Sequence, residues 1–316
     1  MKIIHCADIH LDSKMSANLT KEKARERKTE LLTTFQNMVT YGAEQGVAAI
    51  IIAGDLFDTK NVSATARNVV KDLIQGHPKI AFYYLQGNHD EGSFTSGLSE
   101  LPENLHLFGN NWTSYELSGT ENTSGKGVAV TGVELTPENS GSIYNTLSLD
   151  VDQCNIVVLH GQESEYSARD KAEIIHLTAL KNKGIDYLAL GHIHSYKKER
   201  LDARGVYCYP GCLEGRGFDE CGEHGFVMLD IDELTGTIDS TFIPFASGCE
   251  STTEIMERMR AETAGKGYPE KSLIKYELVG KIDVESEKDI DFLLHQFSHL
   301  FYFVKIKDSS EYLVDY

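Results

Sequence analysis

Five apolar stretches of the sequence each end in residues that bind metal ions or transfer protons. The stretches read IIHCADIH, AAIIIAGD, FYYLQGNHD, CNIVVLHG and YLALGHIH. Their candidate ligands are two carboxylates, one amide and four imidazoles, namely Asp8, His10, Asp55, Asn88, His160, His192 and His194. This donor set has no thiolate and suits Mn²⁺, Zn²⁺ or iron better than Ca²⁺. Seven ligands are too many for one ion, so the set predicts two ions that share one carboxylate.

Each of these motifs also has an ordinary structural explanation when it is taken alone. A histidine after a strand is usually a surface residue, and Gly-Asp and Gly-Asn are common in turns. Five such motifs in one chain, each directly after an apolar strand, are hard to attribute to coincidence. Because α/β sheets form their binding sites at the carboxyl ends of strands, the combination predicts a two-ion site of the kind that hydrolyses phosphoesters.

The elements that would position these residues follow from the hydrophobic spacing. Apolar runs at 2–7, 47–53 and 79–85 predict buried strands, and helical spacing predicts helices at 21–45 and 63–75 between them. Strands alternating with helices indicate a partly parallel sheet and an α/β or α+β fold. Further strands are predicted at 127–133, 154–160, 185–190, 205–209, 225–231 and 237–243, with helical segments near 141–148 and 168–182.

The pattern changes near residue 247. A helix, a strand, a second helix and a second strand are predicted in turn at 251–263, 272–282, 285–298 and 300–307. This helix–strand–helix–strand segment could pack as a small cap domain. We therefore expect two domains, a larger one at 1–247 that carries the site and a small α/β cap domain at 248–316.

The chain has 30 Lys and Arg against 48 Asp and Glu, a formal net charge of −18. A strongly acidic surface repels nucleic acids at long range, which argues against a general nucleic-acid coat protein. The charge does not exclude a nuclease, because bound divalent cations reverse the local potential and a partner subunit can carry the basic surface.

The cysteines and the N-terminal residues bear on location. None of the six cysteines forms a CxxC pair, and the spacing predicts scattered, reduced thiols in a cytoplasmic protein. The N-terminus reads MKIIHCADIH, which has neither the apolar length of a signal peptide nor that of a membrane span. We therefore expect no membrane association.

In this order the motifs resemble those of the calcineurin-like metallophosphoesterase superfamily, whose fold is a two-sheet sandwich flanked by helices. Within it, the chain looks most similar to the SbcD-type exonucleases of DNA double-strand-break repair. The narrower resemblance rests on ADIHLDS at 7–13, GDLFD at 54–58, QGNHD at 86–90 and YPGCLEGRGF at 209–218. The helix–strand–helix–strand tail is similar to the capping domain of that group.

The resemblance implies a role for each site residue. Asp8, His10 and His194 would hold one ion, Asn88, His160 and His192 the other, and Asp55 would bridge the two. His89 would protonate the leaving oxygen or stabilise the phosphoryl charge. Asp58 would orient His89, although a helix N-cap or a loop turn is the alternative for this residue. Arg216 could contact a substrate phosphate, or it could be an ordinary surface arginine.

The same resemblance implies a metal-dependent DNA exonuclease or endonuclease that attacks with a hydroxide formed at two ions, Mn²⁺ before Zn²⁺ or iron. The chain has no phosphate-loop motif, so an SbcC-like coiled-coil ATPase would be a separate subunit, and a homodimer is expected. One alternative is a phosphodiesterase or phosphatase for a small molecule or phosphoprotein. Another is a binding subunit without activity, which would be expected to lack some ligands.

Overall fold

The computed structural model describes most of the chain, and it divides into two compact units. Described are residues 1–13, 21–58, 62–87, 94–95, 98, 100–117, 126–164, 174–215, 223–247, 252–264, 266–269, 271–278, 281–282, 290–309 and 311–312. The first unit comprises 1–214 and 224–246, and the second comprises 215–223 and 247–316. The functional division at residue 247 stays a prediction.

The described part of the first unit consists of strands with a few helices between them. Its strands are β1 (Lys2–Cys6), β2 (Ala49–Ala53), β3 (Ala81–Leu85), β4 (Leu105–Leu107), β5 (Thr113–Leu117), β6 (Val128–Gly132), β7 (Cys154–His160), β8 (Gln162–Ser164), β9 (Ile174–His176), β10 (Tyr187–Gly191), β11 (Lys197–Arg200), β12 (Val206–Tyr209), β13 (Glu223–Asp232) and β14 (Thr237–Ser247). Its helices are α1 (Lys21–Glu44), α2 (Ala64–Gly76) and the single turn α3 (Leu177–Leu180), with a 3₁₀ turn at Ile143–Thr146.

Most of these strands join two mixed sheets, each six-stranded in the described residues. The first has the order β14-β13-β1-β2-β3-β4, and the second β11-β12-β10-β7-β6-β5. In the first, β1 to β4 are parallel and β13 is antiparallel to β1. In the second, β12, β10, β7 and β6 are parallel and the two outer strands are antiparallel. Each sheet therefore has a parallel centre whose strands end on one side.

The two sheets pack face to face, and alternate residues of each strand point to opposite sides. Ile51 of β2 and Val158 of β7 belong to the core between the sheets. Ile52 of β2 faces the other way, into a core shared with Phe35 of α1 and Val70 of α2. Because the central strands are covered on both faces, they read as continuous apolar runs. The predicted sandwich flanked by helices is confirmed.

Several short segments of the first unit differ from the sequence-based prediction, and among them the strand β8 was not predicted. The helix predicted at 168–182 is wrong over its described part, where β9 pairs with β8 and only one helical turn follows. The β-branched Ile174 and Ile175 favour the strand. The edge strand β11 was not predicted, because its sequence KKER is polar and largely exposed and has no apolar alternation.

The second unit is a small α/β arrangement in its described part. Its elements are α4 (Thr252–Ala264), β15 (Leu273–Leu278), β16 (Lys281–Ile282), α5 (Ile290–Ser298), β17 (Phe303–Asp308) and β18 (Glu311–Tyr312). The parallel pair β15–β17 packs through Val304 onto Met259 of α4 and Leu293 and Phe297 of α5. None of the described helices of either unit has the length and apolar character needed to span a membrane.

Four of the six cysteines lie in described residues, and all four are buried thiols: Cys6, Cys154, Cys208 and Cys212. Burial raises the pKa of the Cys6 and Cys154 thiols, which keeps them protonated. Thiols of this kind behave as small apolar core residues rather than as reactive groups. The predicted cytoplasmic location stays a prediction.

A glycine at the end of β10 is predicted to be essential for the packing of the two sheets. A Cβ added to Gly191 would lie 1.9 Å from the carbonyl oxygen of Ala53 and 2.8 Å from Nδ1 of His160. Gly191→Ala should lower the free energy of unfolding by about 3 kcal/mol or more in urea titrations, since the backbone of β2 must move. Gly76→Ala, where a Cβ meets no atom within 4 Å, is the matched control and should change it by less than about 1 kcal/mol. Equal stability of the two variants would contradict the prediction.

Candidate metal centre

The loops that follow β1 and β2 are hydrogen-bonded to each other beyond the ends of the strands. The N–H of Asp8 donates to the carbonyl of Gly54 at 3.1 Å, and the N–H of His10 donates to the carbonyl of Asp55 at 2.9 Å. Two further backbone bonds continue this ladder to Asp58. The first three predicted ligands are therefore held by an extension of the parallel β1–β2 pairing.

The second sheet joins these loops through two of its own strand ends. Following β10, the N–H of His192 donates to both carboxylate oxygens of Asp8, at 3.0 and 2.9 Å. At the end of β7, Nδ1 of His160 lies 2.9 Å from the carbonyl oxygen of Ala53. Since a carbonyl can only accept, Nδ1 carries the proton, and Nε2 is the ring nitrogen that is left to face Asp55.

Five of the predicted ligands meet at this point in two overlapping groups. Asp8, His10 and His194 form one group and Asp8, Asp55 and His160 the other, with ligand atoms within 4.8 Å of one another in each. Nε2 of His10 lies 3.3 Å from Nε2 of His194. Oδ2 of Asp55 lies 3.4 Å from Nε2 of His160 and 3.9 Å from Nε2 of His10. One carboxylate oxygen of Asp55 thus lies between histidines of both groups.

The arrangement fits divalent cations. Asp8, His10, Asp55 and His160 are buried, and Nε2 of His160 faces Oδ2 of Asp55. Buried carboxylate oxygens and imidazole nitrogens are atoms that divalent cations such as Mn²⁺ or Zn²⁺ bind. The ring of His192 stands at right angles to that of His160 with centroids 5.5 Å apart, although His192 is in neither group found among the described residues.

The backbone at the site is strained. Asp8, His10, Asp55 and His192 all have positive φ, at 51°, 50°, 52° and 104°. Residues other than glycine rarely adopt these angles, and each such residue costs about 1–3 kcal/mol. Strain of this kind persists where surrounding contacts hold it, and it is common at functional sites.

Two glycines of the sequence motifs allow the ligands to approach closely. A Cβ on Gly54 would lie 2.1 Å from Nδ1 of His160, and a Cβ on Gly87 would lie 2.0 Å from Oδ1 of Asp55. Any larger residue would displace a ligand side chain. Packing therefore requires the glycines of the Gly-Asp and Gly-Asn-His motifs, and the positive φ of Gly54, at 93°, also favours glycine there.

The charges of the cluster shift the proton affinities of its members. Burial raises the pKa of Asp8, and the nearby charge of His160 opposes this rise in part. Burial by itself would lower the pKa of His160, but the hydrogen bond and charge of Asp55, with the charge of Asp8, raise it to about 9. Without cations the cluster therefore holds protons, which bound cations would release.

Asp58 lies behind His10, on the side away from the cluster. Its Oδ1 is 3.2 Å from Nδ1 of His10. The hydroxyl of Ser13 donates to Oδ2 of Asp58 at 2.7 Å. A carboxylate in this place orients an imidazole for metal binding. The sequence did not predict the contact of Asp58 with His10 or the hydrogen bond from Ser13 to Asp58.

Asn88, His89 and Arg216 lie outside the described residues, and the roles predicted for them stay predictions. The same holds for the predicted relation between Asp58 and His89.

Residues 1–196 match the family model described as calcineurin-like phosphoesterase. This match spans all seven predicted ligands and most of both sheets. A two-sheet sandwich with carboxylates and imidazoles at its strand ends defines the class of metallophosphoesterases. The chain belongs to the calcineurin-like phosphoesterase family.

Several relatives were found. The "uncharacterized metallophosphoesterase YhaO" of Bacillus subtilis (strain 168) is 30% identical over 241 residues, which cover 73% of this chain and 57% of the relative. The DNA double-strand break repair protein Mre11 of Methanosarcina mazei is 25% identical, covering 73% of this chain and 36% of the relative. The SbcD subunit of the SbcCD nuclease of Staphylococcus epidermidis is 24% identical, covering 77% and 69%. The chain thus spans little more than half of YhaO and about a third of this Mre11.

A solved structure has the same fold. The structure described as "GAP50 the anchor in the inner membrane complex of Plasmodium" aligns with a TM-score of 0.51 at 15% identity, covering 77% of this chain and 84% of that one. Identity at this level supports a shared fold and nothing about activity.

The metal-free protein is predicted to become less stable as the pH rises from about 6.5 to about 9. The folded-state pKa of His160 is raised from 6.5 to about 9, so its stabilising contribution is complete below 6.5 and is lost as the pH passes 9. The raised pKa of Asp8 also makes the protein less stable with rising pH, in a range that begins above the ordinary value of 3.8. Urea unfolding in EDTA across this range should show the decline.

Two comparisons test the cause of that decline. His160→Gln should flatten the pH dependence, and saturating Mn²⁺ should reverse it, because cations bind more tightly once the cluster loses its protons. Stability in EDTA that is constant or increases over this range would refute the proton assignment.

Proposed function

We propose that this protein is a two-metal phosphodiesterase that cleaves DNA, a nuclease subunit of the SbcD type. The observation that carries the proposal is the buried cluster in which Oδ2 of Asp55 lies 3.4 Å from Nε2 of His160 and 3.9 Å from that of His10. Membership of the calcineurin-like phosphoesterase family supports hydrolysis of a phosphoester.

Each ligand has a proposed place. Asp8, His10 and His194 would hold one divalent ion, Asn88, His160 and His192 the other, and Asp55 would lie between them. When bound, two such ions lower the pKa of water and neutralise charge on the phosphoryl group. Mn²⁺ is the proposed metal, with Zn²⁺ or iron as alternatives, because the donors are oxygen and imidazole nitrogen without thiolate.

The remaining site residues would act on the substrate. His89 would give a proton to the leaving oxygen, or stabilise the charge on the phosphoryl oxygens. Asp58 would orient His89, and its contact with His10 supports a second task in holding that ligand. Arg216 would bind a phosphate through its two-pronged guanidinium group.

The choice of DNA is supported by the relatives named as a DNA double-strand break repair protein and as a nuclease subunit. The net charge of −18 opposes it, because an acidic surface repels DNA at long range. A subunit partner would resolve the conflict. We propose an SbcC-like coiled-coil ATPase as that partner, and a homodimer of this chain within the complex.

The charge favours a second candidate function. A phosphodiesterase or phosphatase acting on a small molecule or a phosphoprotein would not need to attract a long polyanion. Initial rates with Mn²⁺ on duplex DNA, single-stranded DNA, cyclic nucleotides and aryl phosphates separate the two candidates. Preference for cyclic nucleotides or aryl phosphates over both forms of DNA, with and without the ATPase subunit, would refute the nuclease proposal.

His89→Gln is predicted to lower kcat for Mn²⁺-dependent DNA cleavage by about 10²- to 10⁴-fold, because a general acid in the transition state is lost. Mn²⁺ binding, measured by calorimetry, should stay at the wild-type level, since His89 is not a proposed ligand. His299→Gln, at an exposed position of the second unit, is the matched control and should leave kcat unchanged. Unchanged kcat in His89→Gln would exclude this residue from the reaction.

A further inference from the structure

The turn that follows His160 is tied to β12 by a single tyrosine hydroxyl. Tyr209 is fully buried, and its hydroxyl donates to the carbonyl of Gly161 at 2.9 Å. The same oxygen accepts from the N–H of Glu163 at 2.9 Å. One phenol oxygen thus satisfies a backbone acceptor and a backbone donor in the turn directly after a proposed metal ligand.

An ion pair connects the same turn to the segment that follows His194. Nζ of Lys197 donates to Oε1 of Glu163 at 2.6 Å, and both side chains are partly buried. Lys197 of β11 lies opposite Tyr209 of β12 in the antiparallel register. Glu163 lies three residues after His160, and Lys197 lies three residues after His194. The two ligand loops are therefore connected through this one pair of neighbouring strands.

The connection matters because the two histidines belong to different groups of ligand atoms. His194 groups with Asp8 and His10, whereas His160 groups with Asp8 and Asp55. Two-metal hydrolysis needs ions about 3.5–4 Å apart. Ligands must be held to within about 0.5 Å for such a site to work. A tie between the loops of His160 and His194 therefore acts on the distance between the ions.

We propose that Tyr209, with the Glu163–Lys197 ion pair, is a positioning unit that sets the spacing of the two ion sites. This inference rests on the proposed two-ion site. A packing role alone would explain the burial of the Tyr209 ring, whereas the two bonds of its hydroxyl hold the turn that directly follows His160. Tyr209, Glu163 and Lys197 contact the turn after His160 and not the reacting atoms. They are therefore positioning residues.

The test compares Tyr209→Phe with Tyr207→Phe in the full-length protein. Both variants lose one hydroxyl from β12, but that of Tyr207 bonds Glu199 and not the ligand turn. Mn²⁺ binding is measured by calorimetry, and the exchange-coupled EPR signal of paired Mn²⁺ reports the spacing of the ions. In Tyr209→Phe we expect the second Mn²⁺ to bind at least about 10-fold more weakly and the coupled signal to change or disappear. Tyr207→Phe should match wild type in both.

Two Mn²⁺ ions bound by Tyr209→Phe with wild-type affinity and an unchanged coupled signal would overturn the inference. If Tyr209→Phe does not fold, Lys197→Met and Lys197→Arg decide instead. Lys197→Met should bind the second Mn²⁺ more weakly than wild type, and Lys197→Arg should bind it with wild-type affinity. Equal affinity of the two variants for the second Mn²⁺ overturns the inference. Wild-type protein that binds fewer than two Mn²⁺ overturns the two-ion site and this inference together. Wild-type protein that binds two Mn²⁺ but does not cleave DNA refutes only the proposed nuclease function.

Discussion

Asp8 and Asp55 place two carboxylates in the interior of the protein at neighbouring strand ends, and the rest of the site is arranged around their charge. Both are almost fully buried, and the charge of Asp55 adds to the rise of the Asp8 pKa. Like charges in a poorly hydrated interior destabilise the fold unless cations or donors compensate. The N–H of His192 and the imidazole of His160 compensate in part. Divalent cations would complete the compensation, so the stability of the fold and the proposed activity would depend on the same cluster.

Bringing these groups together requires locally unfavourable backbone conformations and glycines at two close contacts. Four predicted ligands have backbone angles that only glycine adopts freely. Gly54 and Gly87 leave room for ligand atoms that a Cβ would displace. These costs are tolerated because the parallel strands, buried on both faces between two apolar cores, hold their ends in place. A rigid sandwich with strained loops at one end is a common way to hold a reactive site.

The net charge of −18 and the chemistry of the centre have different consequences for substrate choice. An acidic surface attracts divalent cations and repels polyanions, so it favours filling of the centre but not the approach of DNA. The local potential depends on the bound ions, whereas the approach depends on the whole surface. This difference is why a basic partner subunit matters for a nuclease.

The sequence alone determined the family, the sandwich fold and the types of residue at the centre. Strands covered on both faces are apolar throughout, and the residues that interrupt each run, such as Asp8, Asp55 and His160, are conspicuous against it. The polar edge strand β11 and the short paired strands β8 and β9 escaped prediction, because exposed edges and short segments carry little periodic signal.

Only the tertiary structure decided which side chains support the ligands. Asp58 approaches His10, and Tyr209 bonds Gly161, in each case across a long stretch of intervening chain. The sequence shows what chemistry a residue can perform, because that is a property of the side chain itself. Which residue a side chain contacts depends on which strands become neighbours when the two sheets pack. No local spacing in the sequence contains that information.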